Sequence, residues 1–219
     1  MEKQRNSDCW YKEVCQDDCY MCTTYLEMKW QMTNSGLPAK LQRPIEMYLT
    51  NGNKCDRDSY KRLAEIRKNI VDFVKDGKNL YICGRSGNGK TSWAVRLLQS
   101  YFHHKAPGNY ENLQGMFIST SDFLFKLKDF NNALPKEYRD HVMTVPIVIW
   151  DDICGSCMSK YDYMQFFTYI NGRTLAGFTN VFTSNITSRQ EVNELLGERL
   201  MSRIYDASEI IELKGGDMR

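Results

Sequence analysis

The sequence predicts an α/β fold, in which helices flank a parallel sheet built around a phosphate-binding loop. The segment 80–101 contains, in order, a short apolar run, a Gly-rich turn and apolar residues at helical spacing. Two further apolar runs, 145–152 (VPIVIWDD) and 180–185 (NVFTSN), end in polar side chains. Continuous apolar runs are typical of parallel strands, because such strands are buried on both faces. The fold class follows from this strand–turn–helix unit and the two later strands.

Residues 1–33 are predicted to form a small cysteine-rich module. Cys9, Cys15, Cys19 and Cys22 follow a C-x5-C-x3-C-x2-C pattern. Four thiolates in one short segment can close a tetrahedral Zn²⁺ site, and the metal then supplies folding energy that a small segment lacks. The alternative is a set of reduced cysteines on an irregular arm. The aromatic residues nearby form either a contact surface or the core of the module itself.

The main domain is predicted to span 58–219, after a linker at 34–57 whose first part is rich in Gly and Pro. Apolar residues recur at helical spacing from Asp58, a candidate N-cap, to Asp76, and Gly77 follows as a stop signal. This helix is expected to pack beside the strand that leads into the phosphate-binding loop. Its basic residues favour a solvated face over a nucleic-acid contact.

The phosphate-binding loop begins at Gly84, ends at Thr91 and matches G-x-x-x-x-G-K-[ST]. Its glycines let main-chain N–H groups turn toward an anion, and the positive end of the next helix adds to the attraction. Lys90 is expected to reach the β- and γ-phosphates, and the Thr91 hydroxyl to bind Mg²⁺. The residues predicted to bind ATP are Gly84, Arg85, Ser86, Gly87, Asn88, Gly89, Lys90, Thr91 and Ser92. The alternative is an ordinary glycine turn between a strand and a helix.

The run 145–152 supplies the second set of candidate catalytic residues, because it ends in Asp151 and Asp152. Strands of open parallel sheets deliver residues to ligands at their carboxyl ends. Asp151 is predicted to hold the Mg²⁺ shell through water, and Asp152 to orient and polarise the attacking water. The alternative is that two acids merely end a strand. Asn185, which ends the run 180–185, is predicted to hydrogen-bond the attacking water or the γ-phosphate.

Between these segments, 116–119 (MFIS) predicts a further strand and 122–130 a helix. A group of basic and aromatic residues begins there, and it could face a central pore and contact DNA. Its members are Phe125, Lys126, Lys128, Phe130, Lys136, Tyr138 and Arg139. An ordinary solvated helix face is at least as good an interpretation. Cys154 and Cys157 have no second cysteine pair nearby in sequence, so no metal or redox role is predicted for them.

The C-terminal part predicts another helix and a last strand. Ser188 with Glu191 forms a capping-box pattern at the start of the helix. Arg199 and Arg203 lie four residues apart, so they share a helical face. The segment 206–213 predicts the final strand.

Charge and composition narrow the function classes. The formal net charge of the 219-residue chain is +2, which argues against nucleic-acid binding through overall charge but leaves a local basic groove open. No apolar run approaches the length of a membrane span, and none follows a basic N-terminal segment, which predicts a cytoplasmic protein without membrane contact. Eight cysteines in a chain with an ATP site indicate a reducing compartment, where metal ligation or burial of thiols is the expected fate.

The order of these motifs resembles the AAA+ ATPases of the bacterial helicase-loader type, the DnaC/DnaI-like proteins, and especially their phage-encoded relatives. The resemblance covers 58–213. The T-S-N strand and the late segment G-E-R-L-M-S-R-I are what narrow it to this family. It implies an AAA+ P-loop core with a parallel sheet between helices and with little or no C-terminal helical lid.

The resemblance also implies roles for particular residues. The loop 84–91 corresponds to Walker A, and Asp151 with Asp152 corresponds to Walker B. Asn185 corresponds to the sensor-1 residue. The arginine finger, which reaches the ATP site of a neighbouring subunit, corresponds to Arg203 or, as the less favoured alternative, to the other late arginine, Arg199.

The function that the resemblance implies is ATP-dependent loading of a replicative DNA helicase onto single-stranded DNA. It further implies self-association into an AAA+ oligomer with ATP and Mg²⁺ between subunits, in the cytoplasm of a bacterium or of a phage-infected host. Loaders of this type use an N-terminal module, in some cases with zinc, to grip the helicase. Two alternatives remain open, namely an IstB-like helper ATPase of a transposase and an ATP-binding protein that sequesters or inhibits a helicase.

Overall fold

One parallel sheet of five strands forms the centre of the molecule in the residues that the computed structural model describes, which are 9–10, 22–105, 108, 112–128, 134–153 and 158–217. The strand order is β2-β3-β4-β1-β5, and every pairing is parallel. The strands are β1 (Asn79–Gly84), β2 (Gly115–Ser119), β3 (Ile147–Asp151), β4 (Thr179–Ser184) and β5 (Ser208–Leu213). The four strands predicted from apolar runs and the predicted last strand are therefore confirmed, each within two residues at either end.

Helices cover both faces of this sheet. They are α1 (Thr23–Asn34), α2 (Arg57–Lys68), α3 (Ile70–Lys75), α4 (Lys90–Lys105), α5 (Thr120–Lys128), α6 (Lys136–Thr144), α7 (Lys160–Leu175) and α8 (Arg189–Met201). A π-helical turn, Ser202–Asp206, joins α8 to β5. In the part of the chain that the structure describes, no helix follows β5.

Alternate residues of each central strand point into two separate cores. Leu80 and Ile82 of β1 pack in a core that α1, α2, α3 and α4 share, whereas Tyr81 and Cys83 pack in a core with α5, α6, α7 and α8. This alternation follows from the period of two along a strand. Since helices cover both faces, β1, β2 and β3 are largely apolar, as the sequence pattern predicts. The strand β4 (TNVFTS) has polar residues at both ends, and the edge strand β5 (SEIIEL) is partly exposed.

The helix predicted from Asp58 to Asp76 is present, but it is broken at Asn69. This residue has φ −109° and ψ 28°, and its side-chain amide donates to the carbonyl of Glu65 at 3.2 Å. An asparagine side chain that bonds the main chain competes with helical hydrogen bonds, which explains the break. Helices α2 and α3 nevertheless contribute to the same core.

The helix α1 joins the predicted cysteine-rich module to the sheet. Met28 and Met32 are fully buried in the first core. The Gln31 side chain donates to the carbonyl of Asn112 at 2.9 Å and accepts from the N–H of Gln114 at 2.9 Å. The segment just before β2 is thus anchored by a residue of α1. The predicted domain boundaries stay a prediction.

The predicted zinc ligands lie only partly within the described residues. Cys9 is buried and Cys22 is half-buried, whereas Cys15 and Cys19 fall outside the described ranges, as do Cys154 and Cys157. In the ranges that are described, no three side chains of the metal-binding types come together. The zinc site therefore stays a prediction.

The short segment after β5, 214–217, contacts the residues just before α2 and is called here the C-terminal strap. The buried carboxylate of Asp56 accepts hydrogen bonds from the main-chain N–H groups of Lys214 (2.6 Å) and Gly215 (2.9 Å). The N–H of Gly216 donates to the carbonyl of Gly52 at 3.2 Å. The strap is therefore fixed to the segment just before α2.

Within the described residues, no helix is both long enough and apolar enough to cross a bilayer.

Candidate nucleotide-binding site

The loop between β1 and α4 needs glycine for steric reasons. Gly84, Gly87 and Gly89 have φ values of +136°, +81° and +92°, which residues other than glycine rarely adopt. A Cβ atom on Gly84 would collide with the carbonyl oxygen of Leu213, and one on Gly87 would collide with the carboxylate of Asp217 in the C-terminal strap. The strand, the turn and the helix thus occur in the order predicted for a phosphate-binding loop.

Lys90, the first residue of α4, is held beneath this loop. Its ammonium donates to the carbonyls of Gly84 and Arg85, both at 2.8 Å, and to the side-chain oxygen of Asn185 at 2.9 Å. Only 8% of Lys90 is exposed. These acceptors are neutral oxygens, so the ammonium keeps a full positive charge available to a phosphate at the loop.

Asp151, the last residue of β3, lies beside the start of α4. Its Oδ1 atom accepts from the hydroxyls of Thr91 (2.8 Å) and Thr183 (2.7 Å). Burial raises the pKa of the Asp151 carboxyl, the two hydroxyl hydrogen bonds lower it, and the nearby charge of Asp152 raises it again; the net direction is upward. A carboxylate is therefore held in a partly desolvated place next to a hydroxyl.

These two oxygen ligands fit a magnesium ion. Mg²⁺ prefers hard oxygen donors, and in nucleotide sites it is usually held by one or two protein oxygens, phosphate oxygens and water. The Thr91 hydroxyl and the Asp151 carboxylate are 2.8 Å apart, at the edge of the cavity described below. Together they would supply one direct ligand and one acceptor for metal-bound water.

Asp152 has an unusual main-chain conformation, with φ +55°. This left-handed conformation costs about 1–2 kcal/mol for a residue with a Cβ atom. The N–H of Asp152 donates to the Thr183 hydroxyl at 3.0 Å, and its carboxylate accepts from the Asn185 amide at 3.5 Å. Asn185 therefore bridges Asp152 and Lys90, one partner on each end of its amide.

These groups surround one cavity of about 290 Å³ at the carboxyl edge of the sheet. It is lined by Ser86, Gly87, Gly89, Lys90, Thr91, Ser92, Asp151, Asp152, Thr183 and Asn185. A second cleft of about 320 Å³ shares Gly87, Gly89 and Ser92 with it and adds Glu46, Met47, Tyr48 and Thr50. The first cavity is lined mostly by polar and glycine residues, whereas the lining of the second includes a thioether, Met47, and an aromatic ring, Tyr48.

Comparison with known proteins rests on structure alone, since no protein-family model and no curated protein matches the chain. The crystal structure of the DnaC helicase loader superposes with a TM-score of 0.63 and 21% identity, over 77% of this chain and 94% of that one. The DnaI crystal structure gives a TM-score of 0.63 and 22% identity, over 84% and 94%. AMPPCP-bound DnaA from Aquifex aeolicus gives 0.55 and 21%, over 76% and 48%.

The chain has the AAA+ P-loop fold of DnaC and DnaI. The predicted parallel sheet flanked by helices is thereby confirmed, while the N-terminal cysteine-rich module stays a prediction. In this AAA+ fold the cavity brings together Lys90, Asp151, Asp152 and Asn185, which three separate segments of the sequence supply. At this level of identity the likeness shows the fold alone.

Three predicted ATP-binding residues of the AAA+ loop do not line the cavity: Gly84, Arg85 and Asn88. Gly84 and Arg85 instead turn their carbonyls toward the Lys90 ammonium. Asn88 is buried, and its amide donates to the carbonyl of Leu213 at 2.5 Å. These residues shape the loop from behind.

Thr183 belongs to the site but was not among the predicted residues. It lies on β4, two residues before Asn185, and contacts both acids of the Walker B pair. The signal that could have found it is the period of two along a strand, which places Thr183 and Asn185 on one face of β4. Ser184, on the opposite face, is buried and accepts from the N–H of Ile186 at 3.1 Å.

The two candidate arginine fingers of the AAA+ fold, Arg203 and Arg199, do not line the cavity of their own chain. The Arg203 guanidinium donates to the Asn171 side chain at 2.7 Å and stacks over the ring of Phe167, with 4.9 Å to the ring centroid. Arg199 is exposed, and its side chain makes no hydrogen bond or ion pair with any residue that the structure describes. Both lie on the α7–α8 side of the domain.

Arg173 of α7 is an arginine of a different kind, because it is fully buried. Its guanidinium donates to the side-chain oxygen of Asn180 (2.8 Å) and to the carbonyls of Val142 (2.7 Å), Val145 (2.9 Å) and Thr179 (2.8 Å). Burial lowers the pKa of Arg173 to about 9. Its contacts are all structural.

The predicted DNA-contact group is divided. Lys126 pairs with Asp122 at 2.8 Å, and Lys128 pairs with the buried Asp162 at 2.7 Å. Phe125 is 68% exposed. The other members, Lys136, Tyr138 and Arg139, lie on α6, and Phe130 falls outside the described ranges.

Proposed function

We propose that the chain is an ATPase that binds ATP with Mg²⁺ in the 290 Å³ cavity and hydrolyses it there. One observation carries this proposal. The ammonium of Lys90, the carboxylates of Asp151 and Asp152 and the amide of Asn185 converge on that cavity from segments more than 30 residues apart in sequence. A cation under a glycine loop together with paired acids is the arrangement that phosphoryl transfer to water requires.

In this mechanism each residue has a distinct task. The main-chain N–H groups of the glycine loop and the Lys90 ammonium bind the phosphates, and they stabilise the charge that grows on the γ-phosphoryl oxygens. Asp152 and Asn185 orient the attacking water. Bound Mg²⁺, held through Thr91 and Asp151, supplies positive charge to the phosphate oxygens.

The nucleoside is proposed to lie in the second cleft. This cleft continues from the phosphate-binding cavity through Gly87, Gly89 and Ser92. Its outer wall contains Met47 and the ring of Tyr48, which is 65% exposed. An exposed aromatic ring next to a phosphate site offers a stacking surface to a base.

The cellular role that we infer is loading of a replicative helicase onto single-stranded DNA. It is supported by the fold shared with the DnaC helicase loader and with DnaI over 94% of each of those chains. Self-association with ATP between subunits is part of the proposal. It is supported by the position of Arg203, which lies away from the cavity of its own chain and is only half-buried.

The first experiment is ATP turnover with and without single-stranded DNA and a candidate replicative helicase. Lys90→Ala is the test variant, and Lys68→Ala, an exposed lysine on α2, is the matched control. Turnover stimulated by both partners, lost in Lys90→Ala and kept in Lys68→Ala, supports a loader ATPase. ATP binding without turnover under all conditions contradicts it and favours the helicase-sequestering alternative, whereas a transposase as the co-purifying partner favours the IstB-like helper.

The arginine finger is tested by mixing variants. Arg203→Ala should lower turnover by about 10³-fold or more while ATP binding persists. The matched control is Arg189→Ala, an exposed arginine at the start of α8 that pairs with Asp206 at 2.8 Å. If the finger acts on the neighbouring subunit, a mixture of Arg203→Ala and Lys90→Ala chains recovers part of the turnover. Full turnover in Arg203→Ala alone rejects this residue, and Arg199→Ala is then the next variant.

DNA contact by α5 predicts single-strand binding with a steep salt dependence that becomes shallower in the double variant Lys126→Ala/Lys128→Ala. Unchanged binding removes these lysines from the interface.

For the zinc site, metal analysis of the purified chain is decisive, and a metal content that Cys19→Ser does not alter rejects the proposed ligands Cys9, Cys15, Cys19 and Cys22.

A further inference from the structure

Thr183 occupies a place between the two acids of the candidate site. Its side chain is 1% exposed, and its hydroxyl makes two hydrogen bonds. It donates to Oδ1 of Asp151 at 2.7 Å and accepts from the N–H of Asp152 at 3.0 Å. The carbonyl of Thr183 accepts from the N–H of Ile153 at 3.0 Å. One residue of β4 therefore holds three consecutive residues at the end of β3.

The bond to Asp151 fixes which carboxylate oxygen faces the cavity. Oδ1 receives both the Thr183 and the Thr91 hydroxyls, and in the described structure Oδ2 accepts no hydrogen bond from protein. Thr91 is the proposed Mg²⁺ ligand, and its oxygen would bind the metal through a lone pair while its hydrogen can still be donated to Asp151. Thr183 is the second hydroxyl that orients this carboxylate, and it has no proposed metal contact.

The bond from Asp152 acts on the main chain. Asp152 is the one residue other than glycine with positive φ among the described residues. Such a conformation persists only when the surroundings impose it. The Thr183 hydroxyl supplies the acceptor for the N–H group of this residue, and the side chain of Asp152 thereby points toward Asn185.

We propose that Thr183 is a positioning residue, whose hydroxyl sets the geometry of Asp151 and Asp152 relative to each other for the attack of water on ATP. This inference rests on the proposed ATPase function. It adds to that function a specific device, in which one hydroxyl donates to the acid beside the metal and accepts from the acid beside the water. Neither acid can shift without breaking a hydrogen bond to the same oxygen.

The structure offers a matched control on the same strand. Thr179 lies four residues earlier on β4 and is also fully buried. Its hydroxyl donates only to the carbonyl of Val74, at 3.4 Å, which is at the other end of the sheet. A change of threonine to valine at either position removes a buried hydroxyl and keeps the shape, so the two variants differ mainly in what the hydroxyl contacts.

The test compares Thr183→Val, Thr183→Ser and Thr179→Val with the wild-type chain. Four quantities are measured: kcat for ATP, KM for ATP, the affinity for Mn²⁺ in the presence of ADP by electron paramagnetic resonance, and the temperature of thermal unfolding. Mn²⁺ serves as the probe because it takes the same oxygen ligands as Mg²⁺ and is visible by this method.

Thr183→Val should lower kcat about tenfold or more, since it removes a hydrogen bond to a charged group and leaves the N–H of Asp152 without its acceptor. Its KM for ATP should stay within about threefold, because the phosphates are bound by other residues. Mn²⁺ affinity should weaken about threefold to tenfold, as is usual when a residue that orients a metal-site ligand is lost. Thr183→Ser keeps the hydroxyl, so its kcat, KM and Mn²⁺ affinity should stay close to those of the wild type. Thr179→Val should leave kcat and Mn²⁺ affinity unchanged.

Several outcomes overturn the inference. A Thr183→Val chain with wild-type kcat and Mn²⁺ affinity shows that the hydroxyl is not needed. Equal losses in Thr183→Val and Thr179→Val, accompanied by equal losses in unfolding temperature, show a purely structural role. If the wild-type chain binds ATP without turnover, the proposed function fails, but the Mn²⁺ measurement still decides the role of Thr183. If Thr183→Val does not fold, Thr183→Cys, with a weaker donor of similar size, takes its place.

Discussion

Two polar clusters lie at opposite ends of the neighbouring strands β3 and β4. They differ in whether their charged groups line a cavity or are enclosed by the protein. The carboxyl-end cluster is the candidate site, with Lys90, Asp151, Asp152, Thr183 and Asn185. The amino-end cluster consists of Arg173, Asn180, Asn79 and Thr179. Both contain charged and amide side chains, and each lies at one edge of the sheet.

The amino-end cluster is closed. Arg173 is fully buried and gives four hydrogen bonds, and Asn180 accepts from Arg173 and from the indole N–H of Trp150 at 3.1 Å. The N–H and side-chain amide of Asn180 both donate to the oxygen of Asn79. A buried polar network that satisfies its members makes the local structure rigid and specific.

The carboxyl-end cluster is open. Its acids and its ammonium line a cavity of about 290 Å³, and the pKa of Asp151 is raised by burial. The comparison teaches that buried charge alone does not mark a functional site. What marks it is charge that lines a cavity, as at the carboxyl end, in contrast to charge that the protein encloses completely, as at Arg173.

The largest effect on stability is expected when the closed cluster is opened. Arg173→Met removes the guanidinium and leaves three carbonyls and the Asn180 oxygen short of donors. The free energy of unfolding should fall by about 3 kcal/mol or more, since each buried acceptor left unsatisfied costs about 1–3 kcal/mol. For a chain of this length that corresponds to a drop of roughly 6–12 °C in unfolding temperature.

Arg173→Lys serves as the control, because one ammonium can satisfy at most three of the four acceptors. Its loss of stability should lie between that of the methionine variant and zero. An Arg173→Met chain as stable as the wild type would show that the closed cluster does not hold the sheet together, and the contrast between the two clusters would fail.

An opposite and smaller effect is expected when a charge is removed from the open cluster. Asp151→Asn keeps an acceptor for the Thr91 and Thr183 hydroxyls but removes a carboxylate whose pKa is raised by burial. Without nucleotide or metal, the variant should be more stable than the wild type at pH 8, because the desolvation cost of the ionised carboxylate is gone, while Mg²⁺-dependent turnover is lost. Thermal unfolding of the chain without ligands measures the first change.

The pH dependence of that difference follows from the direction of the shift. A carboxyl whose pKa is raised on folding binds its proton more readily in the folded than in the unfolded chain. The cost of the ionised Asp151 is therefore fully present above the folded pKa, and it disappears as the pH falls below the ordinary value of 3.8. A difference between wild type and Asp151→Asn that grows toward acid pH would contradict this assignment.

The smallest effect is expected for Thr179→Val, within the closed cluster. Its hydroxyl makes one long hydrogen bond, 3.4 Å to the carbonyl of Val74. Loss of a single weak bond should change the free energy of unfolding by about 0.5–1 kcal/mol and should not change turnover. Chemical denaturation resolves a change of this size, and a loss as large as that in Arg173→Met would show that the amino-end cluster depends on more than its guanidinium.

Much of the sheet could be predicted from the sequence, because β1, β2 and β3 stand out as apolar runs and β4 has an apolar centre. The helix α1 could not. Its buried residues include Glu27 and Gln31 beside Met28 and Met32, so the polar members hide the apolar period. Gln31 is buried because its amide bonds the chain near β2, which lies more than 80 residues away in sequence.

The site could be predicted in the same uneven way. Lys90 and Thr91 follow from a motif with fixed spacing, and Asp151, Asp152 and Asn185 follow from their positions at strand ends. The period of two could place Thr183 on the same face as Asn185, but its contacts with Asp151 and Asp152 depend on the register of two neighbouring strands, in which Trp150 of β3 lies opposite Phe182 of β4. No spacing along the chain reports that register.

If the proposed nucleotide site is correct, amide exchange in the C-terminal strap should report its occupancy. The Asp56 carboxylate holds the amides of Lys214 and Gly215, and Asn53, three residues before Asp56, donates to the carbonyl of Tyr48 at 3.3 Å in the wall of the second cleft. A base that stacks in this cleft would stiffen the wall, then the segment that carries Asp56, and finally the strap. In deuterated water, the amides of Lys214 and Gly215 should therefore exchange more slowly once ATP is added.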